Sequence, residues 1–199
     1  NPWDNEKHQR NAIMQGLTNA NPDDIIIVSD CDEVLRSTAI ESLRNSEQTL
    51  YALRMPLFNF KFNYMSLKSS RYDIWAMAGH RFYFNDISPT EFRRLRFQFA
   101  GLPYQFKNDG CEVVEHGGWH FGYMGNTSWL VDKARNFAHA EVNRPEFLEQ
   151  IDPEASIAAR TSWDRNSADK YEIVYVDDYL PLAVKDYPSR LLPNGTVKA

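Results

Sequence analysis

The sequence predicts an α/β protein with a mixed, mostly parallel central sheet flanked by helices, and three observations carry that expectation. The run Ile25-Ile26-Ile27-Val28 is four consecutive β-branched residues, the pattern of a strand buried on both faces in the middle of a parallel sheet. Helix-start signals recur between the strand-like segments, at Asp4-Asn5-Glu6, Ser37-Thr38, Ser88-Pro89 and Asn126-Thr127-Ser128. Of 199 residues, 43% are hydrophobic and 14% aromatic, which suffices for the core of one domain. That domain is expected over residues 1–185, with 186–199 as a Pro-containing, loop-like tail.

Taken in order, residues 3–20 read as a helix, with Ile13 and Leu17 as an apolar i, i+4 pair. Asn5 and Gln9 share a face one turn apart, with Arg10 beside them. Asn21-Pro22 and Asp23-Asp24 then punctuate the start of the Ile25–Val28 strand. Residues 37–45 form a short helix with Ser37 or Thr38 as N-cap, and Leu50 to Met55 a strand that Pro56 breaks. From Leu57 to Met65 the pattern alternates, placing Phe58, Phe60, Phe62 and Tyr64 on one face. Such a row packs a sheet or offers a stacking surface to a sugar.

Residues 71–84 are strand-like in content, with Tyr72, Trp75, His80, Phe82 and Tyr83. Ser88 caps a short helix from Pro89 to Leu95, and Arg93, Arg94 and Arg96 form a local basic cluster. A solvated face is the default for that cluster; the sharper reading gives one Arg a diphosphate. Between Glu112 and Gly125, four glycines surround Trp119-His120 and signal close approach of the backbone to something. A helix from Trp129 to Ala140 follows, leading to Glu141, then a short helix from Pro145 and a late strand Tyr171–Val176 ending in Asp177-Asp178.

Net charge is -5 with no Lys/Arg block, which argues against a nucleic-acid binder. No apolar run approaches the about 20 residues that cross a bilayer, so no transmembrane segment is expected. Cys31 and Cys111 fit neither a disulfide framework nor a zinc spacing. Cys31 alternates with its neighbours and should point into the sheet. Without a signal peptide, a reducing, cytoplasmic compartment is expected.

The chemistry gathers at Asp30 and Asp32. Two carboxylates at i and i+2, at a bend beyond the carboxyl end of a strand, can converge on one hard cation whose other sites are filled by phosphate and water. A solvated turn is the plain alternative. His120, in its glycine setting, is a candidate third metal ligand, weighed evenly against a structural histidine.

Four stretches carry a resemblance. They are Asn1-Pro2-Trp3-Asp4-Asn5-Glu6 with Gln9-Arg10-Asn11; Asp24 to Val34 with its Ser-Asp-x-Asp-Glu core; Gly118-Trp119-His120-Phe121-Gly122-Tyr123-Met124-Gly125; and Lys133 to Glu141. In this order they resemble glycosyltransferase family 17, of the bacterial or viral kind, over about the first three quarters of the chain. The resemblance implies a GT-A-type fold, a UDP-linked nucleotide-sugar donor, a glycan acceptor and inversion at the anomeric carbon. Asp30 and Asp32, with His120, would hold Mn²⁺ or Mg²⁺ on the donor diphosphate. Asn5, Gln9, Arg10 and His139 would border the donor. Glu141, Glu115 and Glu33 are the candidate bases for the acceptor hydroxyl, with Glu141 first. A GT-A domain carries more β-α units ahead of its D-x-D strand than this chain does. Either an N-terminal segment is missing, or the nucleotide site is reduced or completed by another chain, as in a homo-oligomer.

Two rivals stand beside this. A hydrophobic strand followed by Asp30-x-Asp32-x-Val34 also resembles the first motif of haloacid-dehalogenase-like phosphatases, with Asp30 as nucleophile and Asp177-Asp178 as a late acidic motif. The aromatic row and short N-terminus suit a non-catalytic carbohydrate-binding or assembly protein.

Overall fold

The Ile25–Val28 run forms a strand, β1, but one that ends its sheet and pairs antiparallel. This is a computed structural model, and it describes residues 1–67, 73–99, 102, 106–108, 110–136, 143–162, 169–175 and 180–192. The chain divides into two compact units, Asn1–Met55 with Tyr72–Trp119, and Pro56–Arg71 with His120–Ala199.

The first unit is built on strands β1, β3 (Leu50–Arg54), β6 (Ile74–His80), β7 (Lys107–Asn108) and β8 (Cys111–Val114) in the order β1-β6-β3-β8-β7. Only β3 and β8 run parallel; the other pairs are antiparallel. The mostly parallel sheet expected from the apolar run is therefore corrected. A β-branched run reports that both faces are covered, and says nothing about the direction of its neighbour. The two-faced burial itself is present. Ile25 and Ile27 pack on one side against Ala39, Leu43, Tyr51 and Leu53. Ile26 and Val28 enter the other side with Met77, Phe84, Phe92 and Val113, as the period of two requires.

Helix α2 (Ser37–Arg44) covers the first face through Ala39 and Leu43. Its N-cap is Arg36, in extended backbone and without a side-chain cap, where Ser37 or Thr38 was expected. The predicted helix over 3–20 is α1 (Pro2–Asn11) continued by a 3₁₀ segment, Ala12–Leu17, which sends Ile13, Met14 and Leu17 to the second face. Helix α3 (Pro89–Arg94) starts at Ser88 as predicted: Ser88 and Glu91 form a reciprocal capping box. Phe92 seats against Gly79 of β6, where an added Cβ would lie 2.8 Å from its ring. Asn11 Oδ1 accepts from the Thr90 amide at 3.1 Å, so the end of α1 is fastened to the first turn of α3. Helix α4 (Arg96–Phe99) follows directly.

In the second unit, β10 (Tyr171–Ile173), β5 (Tyr64–Ser66), β4 (Leu57–Phe60) and β9 (Gly118–Met124, whose first two residues lie in the first unit) are neighbours in that order. Here β4 and β9 are parallel and the other two pairs antiparallel. The predicted single aromatic face is split by a turn. Phe60 takes φ 63, a left-handed value rare for a bulky residue. As a result Phe60 and Tyr64 enter a core with Leu130, Ala134 and Tyr171, while Phe58 and Phe62 pack on Phe121 at 5.4 and 5.2 Å. Phe58, Phe60 and Tyr64 are buried, so the row packs the sheet. Helix α5 (Thr127–Asn136) brings Leu130 and Ala134 to that core, with Asn126 Oδ1 accepting from the Trp129 amide. The segment expected as a loose tail is held up to Leu192: Asn63 exchanges two hydrogen bonds with Leu192, and Phe62 N donates to Arg190 O. Among the described residues, no helix is long and apolar enough to cross a membrane.

Candidate functional site

At the carboxyl end of β1 the chain makes one tight turn before β2 (Glu33–Leu35). The Glu33 amide donates to Asp30 O at 3.0 Å, and the Asp30 amide donates back to Glu33 Oε2 at 2.9 Å. Asp30 and Asp32 stand on this turn, Asp30 with 43% of its side chain exposed and Asp32 half-buried. Cys31 between them is exposed and not turned into the sheet, because it occupies a central turn position and not a strand position.

The turn is held by an arginine from α3. The Arg93 guanidinium, itself buried, grips Glu33 with both nitrogens, at 3.0 Å to Oε2 and 2.5 Å to Oε1. Its Nη2 also donates to Asp30 Oδ2 at 2.7 Å, and its Nη1 to the carbonyls of Val28 and Trp75. A planar fork with five donors suits two carboxylates and two carbonyls at once. The Glu33 side chain is 0% exposed and its oxygens are taken by Arg93 and the Asp30 amide. Its chemistry is that of a positioning group for the Asp30–Asp32 turn.

Arg10 approaches the same turn from α1, donating to Glu6 Oε1 at 2.9 Å and Asp30 Oδ1 at 3.0 Å. Burial works against its charge, but Asp30 and Glu6 outweigh that and raise its pKa. Both oxygens of Asp30 thus accept from guanidinium groups. Arg96 completes the cluster: its Nη1 lies 3.4 Å from the Trp75 carbonyl that Arg93 also uses, and its guanidinium lies over the Trp75 and Phe97 rings.

The other expected residues fall elsewhere. Asn5 and Gln9 are exposed on α1, near Arg10 in sequence. Glu115 pairs with Arg54, which also donates to Leu102 O at 3.0 Å. His120 belongs to the second unit, half-buried on β9, its amide donating to Pro56 O. His139, Glu141, Asp177 and Asp178 lie outside the described residues. The glycine stretch approaches its own chain: a Cβ on Gly118 would lie 2.1 Å from Val34 O, and one on Gly117 2.8 Å from Leu53 Cβ.

Among the described residues, no three His, Cys, Asp or Glu side chains converge as metal ligands. Asp30 and Asp32 are two carboxylates on one turn, and both oxygens of Asp30 already accept from guanidinium groups. Sequence reasoning placed Glu6 at a helix start and Arg93 and Arg96 between a solvated face and a diphosphate contact, without bringing them to the turn. The signal was the i, i+3 spacing of the two arginines, which puts them on one face, away from Arg94. Comparison of the chain with protein-family models, with curated proteins and with solved structures finds no match.

Proposed function

We propose that this chain is a metal-dependent, inverting glycosyltransferase of GT-A type. It moves a sugar, N-acetylglucosamine by the resemblance, from a UDP-linked donor to a glycan hydroxyl. The observation that carries the reading is the turn at the end of β1, where Asp30 and Asp32 are presented beside guanidinium groups that meet them through Asp30. Carboxylates for a cation next to donors for phosphate oxygens are what a nucleotide diphosphate needs. In this reading Asp30 and Asp32 hold Mn²⁺ or Mg²⁺, which supplies Lewis-acid stabilisation of the departing diphosphate. Arg10 neutralises charge beside it, and Glu33 with Arg93 fixes the turn. Glu33 and Glu115 are both bonded to arginine, which occupies oxygens a base would use, and this favours Glu141 as the group that takes the acceptor proton. Two free cysteines accord with a reducing compartment, here the cytoplasm.

The phosphatase alternative needs Asp30 as a nucleophile, and two guanidinium groups on its oxygens lower that reactivity. The carbohydrate-binding alternative is disfavoured by the aromatic row, in which Phe58, Phe60 and Tyr64 are buried and Phe62 is half-buried. Calorimetric titration of UDP and UDP-N-acetylglucosamine, with and without Mn²⁺, tests the proposal on wild type and Asp32→Ala. Metal-dependent binding that disappears in the variant is expected. Metal-independent binding, or binding equal in both proteins, would overturn it.

A further inference from the structure

The guanidinium cluster around the β1 turn is unevenly matched. Arg10 is paired with Glu6 and Asp30, and Arg93 with Glu33 and Asp30. Arg96 has no carboxylate within ion-pair distance among the described residues. Its hydrogen-bond partner is one backbone carbonyl at 3.4 Å, and its remaining contacts are the faces of Trp75, at 5.6 Å, and Phe97, at 5.0 Å. It is half-buried, beside the buried Arg93, and next to Phe97, which is 64% exposed. A partly desolvated cation beside a like charge, with no ion pair of its own and only the more distant carboxylates of Glu33 and Asp30 to offset it, is unfavourable. Two ring faces beside the guanidinium restrict it, and its one hydrogen bond is long, which leaves fork donors to take a planar or tetrahedral oxyanion.

We propose that Arg96, held between Trp75 and Phe97, is the anchor of an oxyanion site that binds a phosphate or diphosphate group. The site does not require the chain to be a transferase; under that reading its occupant is the diphosphate of the donor. Burial first, and then the neighbouring Arg93, depress the pKa of Arg96, and the carboxylates of Glu33 and Asp30 offset this only in part.

The probe is inorganic pyrophosphate in the presence of a metal chelator, followed by calorimetry and by thermal melting. Wild type should bind it and melt higher in its presence, with affinity falling as salt is raised. Arg96→Met should melt at or above wild type without pyrophosphate, since a partly buried cation without an ion pair of its own is gone. It should lose the pyrophosphate-induced shift and bind at least about tenfold more weakly, the scale of a charge-assisted hydrogen bond. Arg94→Gln, on the exposed side of α3, should keep wild-type binding. A wild type that ignores pyrophosphate, or an Arg96→Met variant that binds it equally, overturns the site. If Arg96→Met does not fold, Arg96→Lys decides: retained charge without the fork should weaken pyrophosphate binding, and unchanged affinity overturns the proposal. The same titration with UDP separates a nucleotide from the bare anion. Pyrophosphate binding without metal-dependent UDP-N-acetylglucosamine binding would sink the transferase reading and leave the oxyanion site standing.

Discussion

Arg93 holds both oxygens of Glu33 in a bidentate pair while its Nη2 reaches Asp30 at 2.7 Å, so one guanidinium fixes both ends of the turn that carries Asp30 and Asp32. Arg93 and Glu33 are both buried. Breaking a buried pair leaves a desolvated charge behind, and Glu33→Gln should cost about 3 kcal/mol. Urea denaturation measures it. A loss under about 1 kcal/mol would mean that the pair behaves as an exposed one and does not hold the turn.

Gly118 is fixed by closeness. With a Cβ 2.1 Å from Val34 O and 3.0 Å from Leu35 Cα, two backbone segments would have to separate. Gly118→Ala should therefore destabilise by roughly 3 kcal/mol, at the upper end for overpacking. Gly16 offers the contrast, since nothing lies within 4 Å of its added Cβ. Gly16→Ala should gain about 0.5 kcal/mol by restricting the unfolded chain. Equal effects at the two positions, read from denaturation midpoints, would contradict this account.

What the sequence disclosed was local. Ser88 caps its helix as the sequence announced, and Glu91, three residues on, completes the capping box. Ile25–Val28 announced a strand covered on both faces, and its alternate residues do enter different clusters. The aspartates announced a turn at the strand end, and it is there. What stayed hidden was nonlocal or conformational. Arg93 meets Glu33 and Asp30 across separations of 60 and 63 residues, which no window on the sequence spans. The direction of β6 beside β1 depends on the connections and not on the apolar run. Phe60 adopts a left-handed φ that nothing in an aromatic side chain favours, and that one residue divides a row which alternation placed on a single face.

Alkaline pH should weaken the protein before it reaches the arginine range. Burial pushes the Cys111 thiol from 9.0 up to about 11 and the Tyr64 hydroxyl from 10.0 up to about 12. In each case the folded state holds its proton more tightly than the unfolded chain. The corresponding stability is complete below the unfolded pKa and is lost as pH rises through the folded one. For Cys111 the window is 9.0 to about 11, and for Tyr64 it is 10.0 to about 12. Thermal melts across this range should fall progressively. Cys111→Ala should flatten the lower part of the decline and Tyr64→Phe the upper part. An undiminished slope in both variants would assign the loss to other groups.

Arg10 and a divalent cation compete for the same carboxylate in the transferase reading. Arg10 Nη2 donates to Asp30 Oδ1 at 3.0 Å, and Asp30 Oδ2 is already taken by Arg93. The side chains of Asp30 and Glu6 are 43% and 30% exposed, so losing their ion pairs with Arg10 should cost only about 1 kcal/mol after solvent screening. Removing one positive charge from beside Asp30 should at the same time raise its attraction for a cation. Arg10→Gln is therefore expected to bind Mn²⁺ in the absence of nucleotide roughly fivefold more tightly than wild type. Titration of MnCl₂ into both proteins measures this directly. Unchanged or weaker binding in Arg10→Gln would show that Asp30 Oδ1 is not a cation position, and the metal of the proposed transferase would have to be held without it.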